Sequence, residues 1–204
     1  MIPHFYAQGA VIGSYDSYKT NRNIFFVGQE DSFDPFVRTA KSKPHGFSFL
    51  SHFETGYLIG DAIQFRPYAK GDYTIVHRNN FTENGANSID LSVQSHNADL
   101  LRLEIGAELL GCFKYPSIWW KPHALIGGVF ENRFIGTNQT ANFTSVDCKM
   151  TTQGLQPDQS LFLFEGGLMT SDPLPCINIS GIFRGEWGKQ TQNIGWSIQA
   201  RCIF

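Results

Sequence analysis

The side chains best equipped for chemistry are six histidines, four cysteines and a scatter of carboxylates. His4, His45, His52, His77, His96 and His123 share no local motif, and Cys112, Cys148, Cys176 and Cys202 lack Cys-x-x-Cys spacing. A structural zinc site needs its thiolates and imidazoles at short, paired spacings, so this pattern argues against one and leaves either isolated apolar thiols or, in an oxidising compartment, two disulfides that would be optional staples. The chain has no Gly-x-Ser-x-Gly elbow, no glycine-rich phosphate loop and no His-Glu-x-x-His helix. Glu104 and Glu108 could act as an acid/base pair. Ion pairing within a wet interior is a cheaper use of the same two groups. No catalytic residue, metal ligand or cofactor site is therefore predicted, and the reading is of a protein that is not an enzyme.

The composition bounds what must position these groups. The 204 residues carry 17% Asp, Glu, Lys and Arg, against about 25% in an average soluble domain, with 18 Phe and 20 Gly. Sixteen basic against eighteen acidic residues leave a charge of −2, so no basic field exists to draw in nucleic acid. The longest apolar runs fall well short of the ~20 residues that a spanning helix needs. The first residues, Met1-Ile2-Pro3-His4, form neither the charged nor the apolar part of a secretory signal. One domain is expected over 1–204. Its class is all-β, because period two is the clearest pattern in the chain.

Apolar Leu101, Leu103, Ile105, Ala107 and Leu109 alternate with Arg102, Glu104, Gly106 and Glu108. The segments 177–187 and 194–204 repeat the pattern with β-branched and aromatic residues on one face. The same test selects 5–15, 47–59, 63–75, 118–130 and 161–169, giving eight predicted strands. Short connectors (60–61, 114–117, 170–173) alternate with long polar ones (16–44, 76–98, 132–158). In an up-and-down barrel this alternation gathers the tight turns at one rim and the long loops at the other. Strands of ten or more residues are long enough to cross a bilayer at a tilt. The spacing thus predicts an antiparallel up-and-down transmembrane β-barrel. Trp119, Trp120, Phe130, Phe183, Trp187, Trp196 and Phe204 are then expected in its aromatic girdles. Arg66, Lys70, Arg102, Glu104, Glu108, Lys121, His123, Glu131, Arg184, Glu186 and Arg201 fall on the polar side of their strands and are expected to face the lumen, with both signs present to pair across it.

Several segments resemble one family in collinear order. Phe53-Glu54-Thr55-Gly56-Tyr57 followed by Phe65-Arg66-Pro67-Tyr68 is similar to a hairpin whose second strand carries proline. Phe81-Thr82-Glu83-Asn84-Gly85-Ala86 with Leu91-Ser92-Val93 resembles its Phe-x-Glu-x-Gly-Ala loop segment. Leu101 to Ala107, Trp120-Lys121-Pro122-His123-Ala124 and a last strand ending on Phe204 complete the series. The order resembles the C-terminal translocator β-barrel of bacterial autotransporters, the type V secretion proteins of Gram-negative outer membranes. That resemblance implies a barrel of about twelve strands, of which about eight are present here. It implies export of an N-terminal passenger to the cell surface, with the passenger and the first barrel strands lying outside this chain. It also implies contact with outer-membrane lipid and with the barrel assembly machinery, which would read a signal in Trp196, Ile198, Cys202 and Phe204. The four cysteines depart from the family's habit. Two other readings compete: a small stand-alone outer-membrane adhesin or porin-like barrel acting through its long loops, and a soluble secreted β-sandwich. Asn-x-Ser/Thr sites at Asn80, Asn138, Asn142 and Asn178 give the sandwich slight support. Asn178 weakens it by falling mid-strand.

Overall fold

The computed structural model describes residues 4–26, 36–115, 118–136, 138–145, 148–154, 159–171 and 177–202. In chain order the strands are β1 (His4–Ser17), β2 (Thr20–Phe26), β3 (Phe36–Ser42), β4 (His45–Leu58), β5 (Ile63–Arg78), β6 (Phe81–Thr82), β7 (Leu91–Val93) and β8 (His96–Gly111). They continue with β9 (Phe113–Lys114), β10 (Trp119–Asn132), β11 (Asn138–Phe143), β12 (Lys149–Gln153), β13 (Ser160–Ser171), β14 (Ile177–Trp187) and β15 (Gln192–Cys202). The described helical content is one 3₁₀ turn, Asn87–Ile89. No described helix is long and apolar enough to cross a membrane.

Eight long strands form one antiparallel meander in the order β1-β4-β5-β8-β10-β13-β14-β15, and β9 adds a short pairing to β10. Each of the eight predicted strands coincides with one of these. A β-sandwich would instead pack two sheets face to face about 10 Å apart. Ladder geometry makes the faces readable, because side chains alternate along every strand and cross-strand partners share a face. Arg66 lies opposite Glu108, Lys70 opposite Glu104, Arg102 opposite Glu131, and Glu165 opposite Arg184. On the other face Phe65 lies opposite Leu109, Ile126 opposite Phe164, and Phe183 opposite Trp196.

The two faces differ in burial as well as in chemistry. The buried cluster of Tyr68, Leu125, Val129, Leu161 and Leu163 sits on the face that carries the charges. The mainly apolar face is the exposed one, including Phe53, Phe65, Ile105, Ile126, Phe162 and Trp196. In water that inversion would be costly, since soluble monomers rarely expose contiguous apolar patches beyond a few hundred Å². Hydrocarbon is the solvent that suits it.

Curvature follows from two ion pairs. Arg184 on β14 reaches Glu104 on β8, and Arg102 on β8 reaches Glu186 on β14. These strands stand three positions apart in the sheet, about 14 Å on a flat surface. Side chains that stand perpendicular to the sheet close such a gap only when the sheet curls toward them. The charged face is therefore concave. The curl does not close among the described residues, where β1 and β15 are the two edges.

Among the described residues, the long connections carry strands of their own. Segment 18–44 carries the β2–β3 hairpin, and β6, β7, β11 and β12 form a four-stranded sheet in the order β12-β11-β7-β6. The last long-rim connection breaks the predicted alternation, for β14 and β15 are joined by only residues 188–191, closed by Gly188 N donating to Thr191 O at 2.7 Å. At the opposite rim Gly60 has φ +112°, and a Cβ there would collide with the Ile63 carbonyl. The β4–β5 turn depends on that missing side chain.

Candidate functional site

The concave face is organised around Arg184. Its Nη2 donates to Glu104 Oε2 at 3.1 Å and to Glu186 Oε1 at 3.0 Å, and its Nη1 donates to Glu165 Oε2 at 3.2 Å. Glu186 also receives Arg102, which pairs in turn with Glu131. Glu104, only 3% exposed, takes a further bond from Tyr68 Oη at 2.7 Å. His123 Nε2 lies 3.2 Å from Glu165 Oε1. A second group lies toward β1, where Arg66 pairs with Glu108, His52 Nδ1 lies 2.6 Å from Asp72 Oδ1, and Tyr6 Oη donates to Glu54 Oε1 at 2.8 Å. Lys70 Nζ is 3.9 Å from Asp72. Arg66, Arg102, Glu104, Glu108, Glu131, Glu165, Arg184 and Glu186 are each met by an opposite charge on another strand, as a low-dielectric wall requires of charges that cannot be fully solvated.

Of the residues singled out from sequence, Arg66, Arg102, Glu104, Glu108, Glu131, Arg184 and Glu186 enter these pairs. Lys121 shares their strand parity but lies near the start of β10, where it is exposed and opposite Met169. Only the backbone of Arg201 and Cys202 is described, opposite Asn178 and Ile177, and Phe204 lies outside the described residues. Trp196 and Ile198 are 76% and 71% exposed on the apolar face of β15. One aromatic expectation needs correcting. Trp119 and Trp120 are neighbours in one strand, so they cannot share a face. Trp120 takes the apolar parity, with Nε1 donating to Tyr115 O at 2.9 Å. Trp119 takes the other, its ring 5.8 Å from Lys114 Nζ. Cys112 and Cys148 are free thiols.

Sequence reasoning passed over Glu165, Glu54 and the tyrosines of this face. Parity alone would have placed Glu165, the one charge within the 161–169 alternation. Tyr68 had a further signal in Gly106, its partner across the ladder. The ring lies over that glycine, where an added Cβ would stand 2.9 Å from the tyrosine oxygen.

The long-loop rim is held by a separate polar cluster. Glu83, buried, binds the Arg22 guanidinium and accepts Leu91 N at 3.0 Å, and Arg22 Nη2 donates to Ile89 O at 2.9 Å. The Glu83 bond holds the Arg22 pKa above its ordinary value. Asp90 Oδ1 accepts Ala86 N at 2.8 Å, and two backbone bonds of 2.9 Å join Lys41 to Asn84. Gly85 has φ +113° and stands where a Cβ would come within 2.6 Å of Thr39 O. The Phe-x-Glu-x-Gly-Ala segment thus locks the β2–β3 hairpin to the rim sheet.

A curled antiparallel meander with an apolar convex face and a paired, charged concave face defines an outer-membrane type of β-barrel wall. A family model described as Autotransporter beta-domain matches residues 2–171. The chain belongs to that family, whose members are translocators of Gram-negative outer membranes and not a catalytic family. It is an outer-membrane β-barrel segment serving export of a passenger by type V secretion. No curated protein matches the chain. The strands beyond the matched region, β14 and β15, continue the same sheet without a break in pairing.

Proposed function

We propose that this chain is one domain forming most of the wall of a translocation barrel, and that its concave face lines the hydrated passage of the passenger. Arg66, Lys70, Arg102, Glu104, Glu108, Lys121, Glu131, Arg184, Glu186 and Arg201 are the charges assigned to that lining. The observation that carries the reading is the Arg184–Glu104 pair, which spans three strands across the curl. Outer-membrane lipid covers the convex face, whose exposed side chains run from Phe53 on β4 to Trp196 on β15. Backbone groups at an open edge cannot be left bare in hydrocarbon. The edges of β1 and β15 therefore take further strands, assigned here to the N-terminal part of the barrel.

The final strand also serves as the signal for the barrel assembly machinery, through Trp196, Ile198, Cys202 and Phe204. Its support is the apolar edge that Trp196 and Ile198 present at the end of the meander. Expression behind an added signal peptide in a Gram-negative host tests both roles. With a second copy covering the edges that the N-terminal strands would otherwise take, the full chain is expected in the outer membrane as a heat-modifiable, detergent-requiring β-protein, and the same chain without Phe204 is expected to lose most of that band; aggregation of both would show that the wall folds only with its N-terminal strands. A product soluble without detergent would contradict the reading.

A further inference from the structure

The long-loop rim holds a cleft that the passage does not use. It has a volume of about 660 Å³ and opens between the β2–β3 hairpin and the segment that follows β5. Lys19, Lys41, Lys43 and His45 line it, and among the described residues no carboxylate does. Three of the chain's eight lysines thus meet in one space on a molecule with more acidic than basic residues. None of the three ammonium groups has an ion-pair partner among the described residues. Two carboxylates of the rim are engaged elsewhere: Glu83 with Arg22 and Leu91 N, and Asp90 with Ala86 N. Glu83 and Asp90 are thus satisfied within the rim, while the three lysines stand in the cleft.

Lysine ammonium groups hold phosphate as point charges that impose little direction. The cleft is larger than one phosphate needs and falls within the ~300–1,000 Å³ range of small-molecule sites. The amides of Asn21, Asn80 and Asn84 add donors and acceptors suited to hydroxyl groups, and Phe81 adds an apolar surface. We propose that this cleft binds a phosphorylated saccharide, with the phosphate against the lysines and the sugar hydroxyls against the amides. A merely cationic surface would hold any anion equally and would ignore the sugar. The proposal does not rest on the translocation reading, since none of these residues belongs to the concave ion-pair network.

The test is calorimetric titration of the full chain, extracted from outer membranes in a neutral maltoside detergent. The probes are N-acetylglucosamine 1-phosphate, N-acetylglucosamine and inorganic phosphate. Saturable binding of the sugar phosphate is expected, at least tenfold tighter than inorganic phosphate, with none to the neutral sugar. The variant Lys19→Gln/Lys41→Gln/Lys43→Gln should lose at least tenfold, while Lys189→Gln, in the 188–191 turn, should not change. Heat-modifiability confirms folding of each variant, and Lys43→Gln alone, at an exposed position, stands in should the triple variant misfold. A second arm presents the same sugar phosphate as a glycolipid headgroup in vesicles. Binding in that arm alone assigns the ligand to the membrane surface, and equal binding in both assigns it to free saccharide. No saturable binding in either arm, inorganic phosphate as tight as the sugar phosphate, or undiminished affinity in the lysine variants would overturn the proposal.

Discussion

Arg184 carries three of the carboxylates that face the concave side of the sheet. Removing one partner of a buried charge cluster leaves the others uncompensated, at a cost of about 3–5 kcal/mol when burial is complete. Arg184 is about a third exposed, so solvent screening lowers the expected loss for Arg184→Met to about 2 kcal/mol. The urea midpoint of the heat-modifiable form measures it. Adding Glu104→Gln to that variant should recover part of the loss, because the orphaned carboxylate is then gone, and simple additivity of the two changes would argue against direct coupling. The sequence showed which residues share this face, since alternation alone decides it. It did not show that Arg184 meets Glu104, because that contact depends on how far the sheet curls across three strands. Trp119 marks the converse limit, where attention to aromatic type overrode the parity that separates it from Trp120.

At the scale of elements, the rim and the turns behave as separate devices. Glu83 joins the Arg22 side chain, the Leu91 amide and, through Arg22, the Ile89 carbonyl. Glu83→Ala should therefore loosen the hairpin and the 79–95 connection together, read as faster chymotrypsin cleavage at Phe25 in the one and Phe81 in the other while the long strands stay protected. Equal protection in both forms would show that the cluster holds nothing. Gly60→Ala acts at the other rim, where the left-handed φ and the Ile63 carbonyl both oppose a side chain. About 1–3 kcal/mol of stability should be lost there, seen as a lower urea midpoint. The eight long strands were legible because each spans more than ten residues of alternation. The rim strands were not, since pieces as short as Phe81–Thr82 and Leu91–Val93 carry too little period to detect. Their order comes from buried side chains bonding to backbone, which no local pattern announces.

At the scale of the whole molecule, the sheet reverses the soluble arrangement, with its charges inside the curl and its phenylalanines outside. Its edge strands complete the argument. In the membrane-assembled protein the amides of β1 that do not bond to β4 should exchange slowly with solvent deuterium, because an unpaired edge in hydrocarbon is costly. Fast exchange along β1 would place that edge in water. The central claim, that the convex face meets lipid and the concave face does not, is tested most directly along β10. Single cysteines at positions 123–130, in a chain whose four native cysteines are replaced by serine, would carry a fluorescent label in membranes doped with a lipid-borne quencher. The account predicts a period of two, with labels at Ala124, Ile126, Gly128 and Phe130 quenched and those at His123, Leu125, Gly127 and Val129 spared. Quenching without alternation, or strongest at the odd positions, would contradict it.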